Sequence, residues 1–237
     1  MNKIIIILLV GVLGLQAGEV YATFSVKADK SASLAFDASG VLASVNTSES
    51  EYVKKGKILA TLRNADKKAK LESAKTVLKY AKKDYERQLK VKDLIDSSKF
   101  DLYAFKYENA KNQLSYEQSQ YEKTYLKAPF NGVIFYKNVE VGDTVSGLQL
   151  KTVLKIQSLY ARKIVLEFDQ KYYKDVRVGD IFQYQLNNDE EVYKGTISKI
   201  YPVANANNRK IQAEVKAKDF MVGLFGDGKI ITKKSEK

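Results

Sequence analysis

The side chains available for chemistry in this chain are 40 Lys and Arg and 28 Asp and Glu, with no His and no Cys. Without those two residue types, the usual proton shuttle, thiol nucleophile and common zinc or disulfide centres are out of reach. The Asp and Glu pairs lie on helix faces among Lys, where surface pairing explains them better than general acid and base catalysis. No Walker loop and no dinucleotide fingerprint occurs. Two Met, one of them the initiator, make a soft-metal relay a poor reading. The chain is therefore expected to be no enzyme and to hold no cofactor and no metal.

The formal net charge is +12. Nucleic acid is not the expected partner, because the Lys residues are spread along helical stretches beside Glu and Asp and no Arg-rich arm appears. A dispersed basic surface suits anionic lipid head groups or acidic partners.

The elements that position these charges can be read in order. Met1-Asn2-Lys3 precedes an apolar run from Ile4 to Leu15, close to a signal-peptide h-region and short of the roughly 20 residues of a membrane helix. Residues 1–17 are read as a signal peptide cut after Ala17. A cut after Ala22 would split the alternating strand Glu19–Ala28, and the alternative to cleavage is retention as an N-terminal anchor. Export places the bulk of the chain outside the cytoplasm.

From about Ala65 to Ile95, apolar or small residues recur at Leu71, Ala74, Leu78, Ala81 and Tyr85. Gln88 and Lys92 weaken the seam before Ile95 resumes it. The spacing returns at Phe100, Tyr103, Tyr107, Ala110, Leu114 and Tyr121. A connection as short as Asp96-Ser97-Ser98-Lys99 forces the two helices to run antiparallel and cover each other. The segment 65–124 is thus an α-helical coiled-coil hairpin with otherwise polar faces, a pattern that favours an arm reaching into solvent over a helical pair lying on a core.

The flanks of the hairpin repeat one another. At an offset of 92 residues without a gap, Gly40-Val41-Leu42 meets Gly132-Val133-Ile134, Glu51-Tyr52-Val53 meets Asp143-Thr144-Val145, Ile58 meets Leu150 and Leu62 meets Leu154. Each copy is a set of short strands with a glycine-bearing turn, Lys54-Lys55-Gly56 or Gly142-Asp143. Neither is large enough for its own core, so the two should pair as a small β sandwich. Beyond Ile156, the runs Arg162–Phe168, Ile181–Leu186, Tyr193–Tyr201 and Ile211–Ala217 read as strands of a small antiparallel barrel, joined by the strand at Glu19–Ala28.

The order half-motif, hairpin, half-motif resembles the periplasmic adaptor, or membrane fusion, family of Gram-negative tripartite efflux pumps of the resistance-nodulation-division type. The residues that carry the resemblance are Tyr52 to Leu59, Leu126 to Ile134 and Val141 to Val145. Further matches are Ile197 to Val203, Arg209, Val215 and Leu224-Phe225-Gly226, the last departing from the family's usual Pro-Gly. The resemblance implies a multi-domain, mainly β fold with a long α-helical hairpin, a split biotinyl/lipoyl-like domain at 36–64 and 125–156, and a β-barrel domain at 19–35 and 157–228. A basic tail would follow at 229–237. A true biotin or lipoyl carrier would display its lysine on a tight turn between the halves, where this chain has about sixty helical residues.

The resemblance further implies partner-binding residues at the hairpin tip, Arg87, Val91 and Ser98. They stand at the spacing with which adaptors engage TolC-like outer-membrane channels, with Val91 in place of the usual Leu. An Arg there can donate several hydrogen bonds, and Ser98 can cap the second helix. Plain helix chemistry, with Ser98 as cap, Asp101 at the third position and Arg87 as a solvated charge, explains the same residues. Implied partners are an inner-membrane efflux transporter, a TolC-like channel and further copies of the chain, in a hexamer or three pairs. The implied place is the periplasm, at the inner membrane. With about twenty residues beyond the barrel strands, the membrane-proximal domain of many relatives is expected to be missing or vestigial. An exported coiled-coil scaffold unconnected with transport is the competing reading, and it leaves the paired half-motifs unexplained.

Overall fold

The computed structural model describes residues 18–149, 151–187 and 189–232. The expected signal peptide lies outside them, as do residues 233–237 of the expected tail. Before the helices come β1 (Gly18–Ala28), β2 (Ser31–Leu34), β3 (Gly40–Val45), β4 (Tyr52–Val53) and β5 (Ile58–Leu62). The helices are α1 (Ala65–Leu89) and α2 (Ser97–Glu122). After them come β6 (Tyr125–Lys127), β7 (Gly132–Lys137), β8 (Thr144–Val145), β9 (Leu154–Gln157), β10 (Arg162–Asp169), β11 (Ile181–Leu186), β12 (Tyr193–Ile200), β13 (Lys210–Lys216) and β14 (Phe225–Thr232). Of the described residues, 18–29 join those of 160–232 in one compact unit, and those of 30–159 form a second.

The first unit is a closed antiparallel barrel in the order β1-β10-β13-β12-β11-β14. Alternation sends Val20, Ala22, Phe24 and Val26 of β1 into its core. There they meet Ile164, Leu166 and Phe168 from β10 and Phe182 and Tyr184 from β11. The closing strand β14 is the one that sequence periodicity misses. It extends to Thr232 and so takes in residues expected to belong to the tail. Its pattern is broken by Gly226 and Gly228, and both are sterically required. A Cβ on Gly226 would lie 2.1 Å from the carbonyl oxygen of Gln185, and one on Gly228 would lie 2.3 Å from that of Gln183. Closure brings two backbones so near that strand propensity gives way to clearance.

The barrel wall carries a half-buried polar network around Glu214. Lys163 donates to Glu214 at 2.7 Å, and the Tyr201 hydroxyl donates to the same carboxylate. Burial alone would raise the Glu214 carboxyl, but its two donors hold it below the usual range. Glu214 in turn holds the Lys163 ammonium above its usual range.

The second unit contains two four-stranded sheets, β2-β9-β7-β4 and β6-β5-β3-β8, sharing one apolar core. Their pairing follows the sequence repeat with an exchange. Tyr52 and Val53 of β4 pair with Val133 and Gly132 of β7, while Thr144 and Val145 of β8 pair with Val41 and Gly40 of β3. Each short strand completes the sheet of the other copy. Even the left-handed backbone conformation repeats, since Ser50 (φ 66°) and Gly142 (φ 98°) are counterparts. Their amides donate to the equivalent carbonyls of Ile134 and Leu42, at 2.8 and 3.0 Å.

The gap-free alignment holds only this far. Leu42 pairs with Leu62, but its counterpart Ile134 pairs with Ile156, two residues later than the expected match with Leu154. The matches of Ile58 with Leu150 and Leu62 with Leu154 are therefore corrected, and Leu154 stands where Ala60 does. The second copy has a longer connection between its short strand and its last strand, in which Gly147 passes over the backbone of Asp37.

The helices enter between β5 and β6. Every seam position expected from the sequence is buried or half-buried, with Leu71, Ala74, Phe100 and Ala110 buried. At the base, Asn64 precedes α1 without capping it and instead donates to the Thr124 hydroxyl at 3.0 Å, tying the entry of one helix to the exit of the other. The Tyr125 hydroxyl reaches that of Tyr121 at 2.5 Å beside this clasp. Among the described residues, no helix is long and apolar enough to cross a membrane.

Candidate functional site

The far end of the hairpin is built from three local devices. Helix α1 stops at Leu89, six residues before the expected end at Ile95, and the chain turns through a short 3-10 helix at Lys92–Leu94. Ile95 then takes an extended conformation (φ −121°, ψ 156°), with its side chain half-buried outside the helix. The cap of α2 is Asp96 and not Ser98. The Asp96 carboxylate accepts from the amides of Ser98 and Lys99 at 2.9 and 3.3 Å, and also from the Ser98 hydroxyl. Asp, Ser and Ser follow one another here and any could cap. The first of them wins because the helix begins at Ser97.

Behind the turn, aromatic rings make the end stiff. Tyr85 stacks on Tyr107 with centroids 5.3 Å apart and tilts against Phe100 at 5.6 Å. The Lys92 ammonium lies 5.1 Å from the centre of the Phe100 ring.

Arg87 occupies the last turn of α1, largely in solvent and ion-paired with Asp84. Val91 follows that helix and is 37% exposed, and Ser98 sits in the first turn of α2 with its hydroxyl engaged by Asp96. Arg87 and Ser98 are each held by a local partner, and all three residues are exposed around the turn. The residue that periodicity overlooks is Leu94, 84% exposed within the turn itself. A large aliphatic side chain off the helical phase was the available signal. Such a surface offers apolar contact, a guanidinium donor and a polar rim, which is the chemistry of docking.

The Ser98 hydroxyl, followed by the two amides, holds the Asp96 carboxyl below its ordinary 3.8. The cap is therefore complete above that ordinary value and is lost as pH falls through the lowered one. Asp96→Ala should fray the first turn of α2 and speed amide exchange at Ser98 and Lys99 without reaching Ala110. Acidification of the unsubstituted chain should reproduce the effect.

No family model matches the chain. It is 24% identical over 205 residues to the cobalt-zinc-cadmium resistance protein CzcB of Cupriavidus metallidurans, an overlap of 79% of this chain and 39% of CzcB. It is likewise 24% identical over 205 residues to the cation efflux system protein CzcB of Alcaligenes sp., so in sequence it is similar to proteins of cation efflux systems. Two solved structures share its fold. A MacA–MexA chimera carrying the Pseudomonas aeruginosa MexA α-hairpin superposes with a TM-score of 0.82 at 19% identity, over 91% of this chain and 82% of the chimera. MacA from Actinobacillus actinomycetemcomitans gives 0.75 at 17% identity, over 91% and 79%. The chain spans about two fifths, 39%, of the length of the curated adaptors it matches.

Proposed function

We propose that this chain is the non-enzymatic adaptor subunit that couples an inner-membrane transporter to an outer-membrane channel for efflux of small molecules. In this reading the paired sheets at 36–64 and 125–156 are a split lipoyl-like domain. The hairpin at 65–124 is the reach, and 19–35 with 157–228 is the barrel that docks nearer the transporter. The chain works in the periplasm at the inner membrane, as a hexamer or three pairs whose tips meet a TolC-like channel. Transport energy comes from the transporter.

The observation that carries the proposal is the tip, where Arg87, Val91 and Ser98 flank the exposed Leu94 on a turn stiffened by the Asp96 cap. A rigid end bearing unpartnered apolar surface supports a contact role. The curated relatives are named for cobalt, zinc and cadmium resistance and for cation efflux. With no His and no Cys, the chain could offer such cargo chiefly carboxylate and other oxygen donors.

A photo-crosslinking residue at Ser98 in intact cells tests this directly. Capture of a TolC-like outer-membrane channel is the expected result. Capture of only a soluble periplasmic protein, or of nothing by a folded and exported chain, would point to the scaffold reading.

A further inference from the structure

The two ends of the barrel differ in charge. Chain entry at Gly18, chain exit at Thr232 and the connections from β10 to β11 and from β12 to β13 share one end, because Gly18 pairs with Thr232, Ala22 with Phe168 and Lys210 with Asp169. Those connections carry Lys171, Lys174, Arg177 and Arg209, all exposed. Among the described residues none of the four is in an ion pair. Of the acids beside them, Asp180 is buried and accepts from the Arg177 amide at 2.8 Å, which leaves Asp175 in solvent. The connections at the other end, from β11 to β12 and from β13 to β14, carry Asp189, Glu190, Glu191 and Asp219 against Lys218.

The basic end is also apolar, and it is firmly held. Tyr173, Val178 and Val203 are 61%, 61% and 75% exposed there. The Lys174 ammonium lies 5.5 Å from the centre of the Tyr173 ring, so cation and aromatic form one surface. Asp169 opens the 3-10 turn Gln170–Tyr172 by accepting from the Lys171 amide at 2.9 Å, and buried Val176 pins the same connection to the barrel core. The Gln170 amide donates to the Arg209 carbonyl at 3.0 Å and ties the two connections together. Arg209 has a left-handed backbone (φ 55°), and its amide donates to the Asn205 carbonyl at 2.8 Å.

We infer that this end of the barrel rests on the head groups of an anionic phospholipid bilayer, with the four cations at the phosphates and Tyr173, Val178 and Val203 at the boundary beneath them. Lys and Arg are drawn to such a surface, and a Tyr ring with its polar tip suits that boundary. One partner thus meets both the charged and the apolar side chains. The acidic end is repelled by the same surface, which fixes the orientation of the barrel. The apolar run Ile4 to Leu15 precedes Gly18 in sequence and Lys233-Lys234 follows Thr232, so both are attached at this end. The inference rests on the proposed place at the inner membrane and adds the surface that makes the contact.

Flotation of the exported chain, beginning at Gly18, with vesicles of phosphatidylcholine and about 30 mol% phosphatidylglycerol tests the contact without transporter or channel. It can therefore fail while the coupling role stands, and capture from Ser98 can fail while it holds. The expected result is binding that is absent with phosphatidylcholine alone and falls as salt rises from about 0.1 M to about 0.5 M.

Lys171→Glu with Lys174→Glu should weaken binding by about tenfold or more. Tyr173→Ala should weaken it by about threefold or more. Lys194→Glu with Lys216→Glu makes the same change in net charge towards the acidic end. It should cost less than about twofold at about 0.1 M salt, where charges beyond about 10 Å are screened. All these positions are exposed, so far-UV circular dichroism should show the chains folded. Absence of binding, or equal binding to neutral vesicles, would overturn the inference. So would indifference to Tyr173→Ala, or an equal loss with the Lys194 and Lys216 changes, which would assign the binding to net charge alone.

Discussion

Phe182→Ala is expected to cost the barrel about 3–5 kcal/mol, the range for removing a large buried ring. Phe182 is fully buried in β11. It meets Phe24 edge-on with centroids 5.8 Å apart and stacks on Tyr184 at 5.3 Å, so truncation empties the centre of an aromatic cluster drawn from two strands. The backbones of β11 and β14 approach too closely at Gly226 and Gly228 for a simple collapse around the gap. The barrel and the hairpin have separate cores, so hydrogen exchange should show lost protection in β1, β11 and β14 but retained protection around Leu71 and Ala74. A loss below about 1 kcal/mol in a urea titration would mean that the ring does not carry the barrel core.

The largest functional effect is expected from Leu94→Asp. The side chain is 84% exposed, so the free chain should change in stability by no more than about 0.5 kcal/mol. Photo-capture of the channel from Ser98 and the level of efflux should each fall by about tenfold or more. A carboxylate pressed into an apolar contact without a partner costs more than the 1.4 kcal/mol or so that such a factor represents. Leu94→Met should retain both activities. Undiminished capture by the Asp variant would remove Leu94, and with it the apolar part of the tip contact, from the proposed site.

What could be read from the sequence follows from what repeats in it. The hairpin seam was legible residue by residue because a 3.5-residue spacing admits few alternatives. Its end was not, because Ile95 falls on the helical phase yet stands in extended backbone after a 3-10 turn. The repeat around the hairpin was legible at Gly40 and Gly132 and at Val53 and Val145. It slipped at Leu150 and Leu154 because one aliphatic residue substitutes for another in a sequence alignment, while the two ladders, each with one irregularity in its register, decide which residues face one another. Strand β14 hid behind two glycines whose need arises only from the strand beside them. Arg87, Val91 and Ser98 were named through the family resemblance. Leu94 was not, since nothing periodic points to a residue in a turn.

The exchange of β4 and β8 between the two copies also bears on how the chain comes together. The first copy leaves the ribosome unable to finish its own sheet, because the strand that pairs with Gly40 and Val41 follows only after both helices. Joining β5 to β6 across an unstructured stretch of that length would carry a substantial closure entropy. Helical hairpins form from local contacts and form early. Once α1 and α2 have zipped, the Asn64–Thr124 clasp brings Leu62 and Tyr125 side by side, and a remote pairing becomes a neighbouring one. The arm proposed to reach outward would thus first serve as the splint on which the rest of its own unit is assembled.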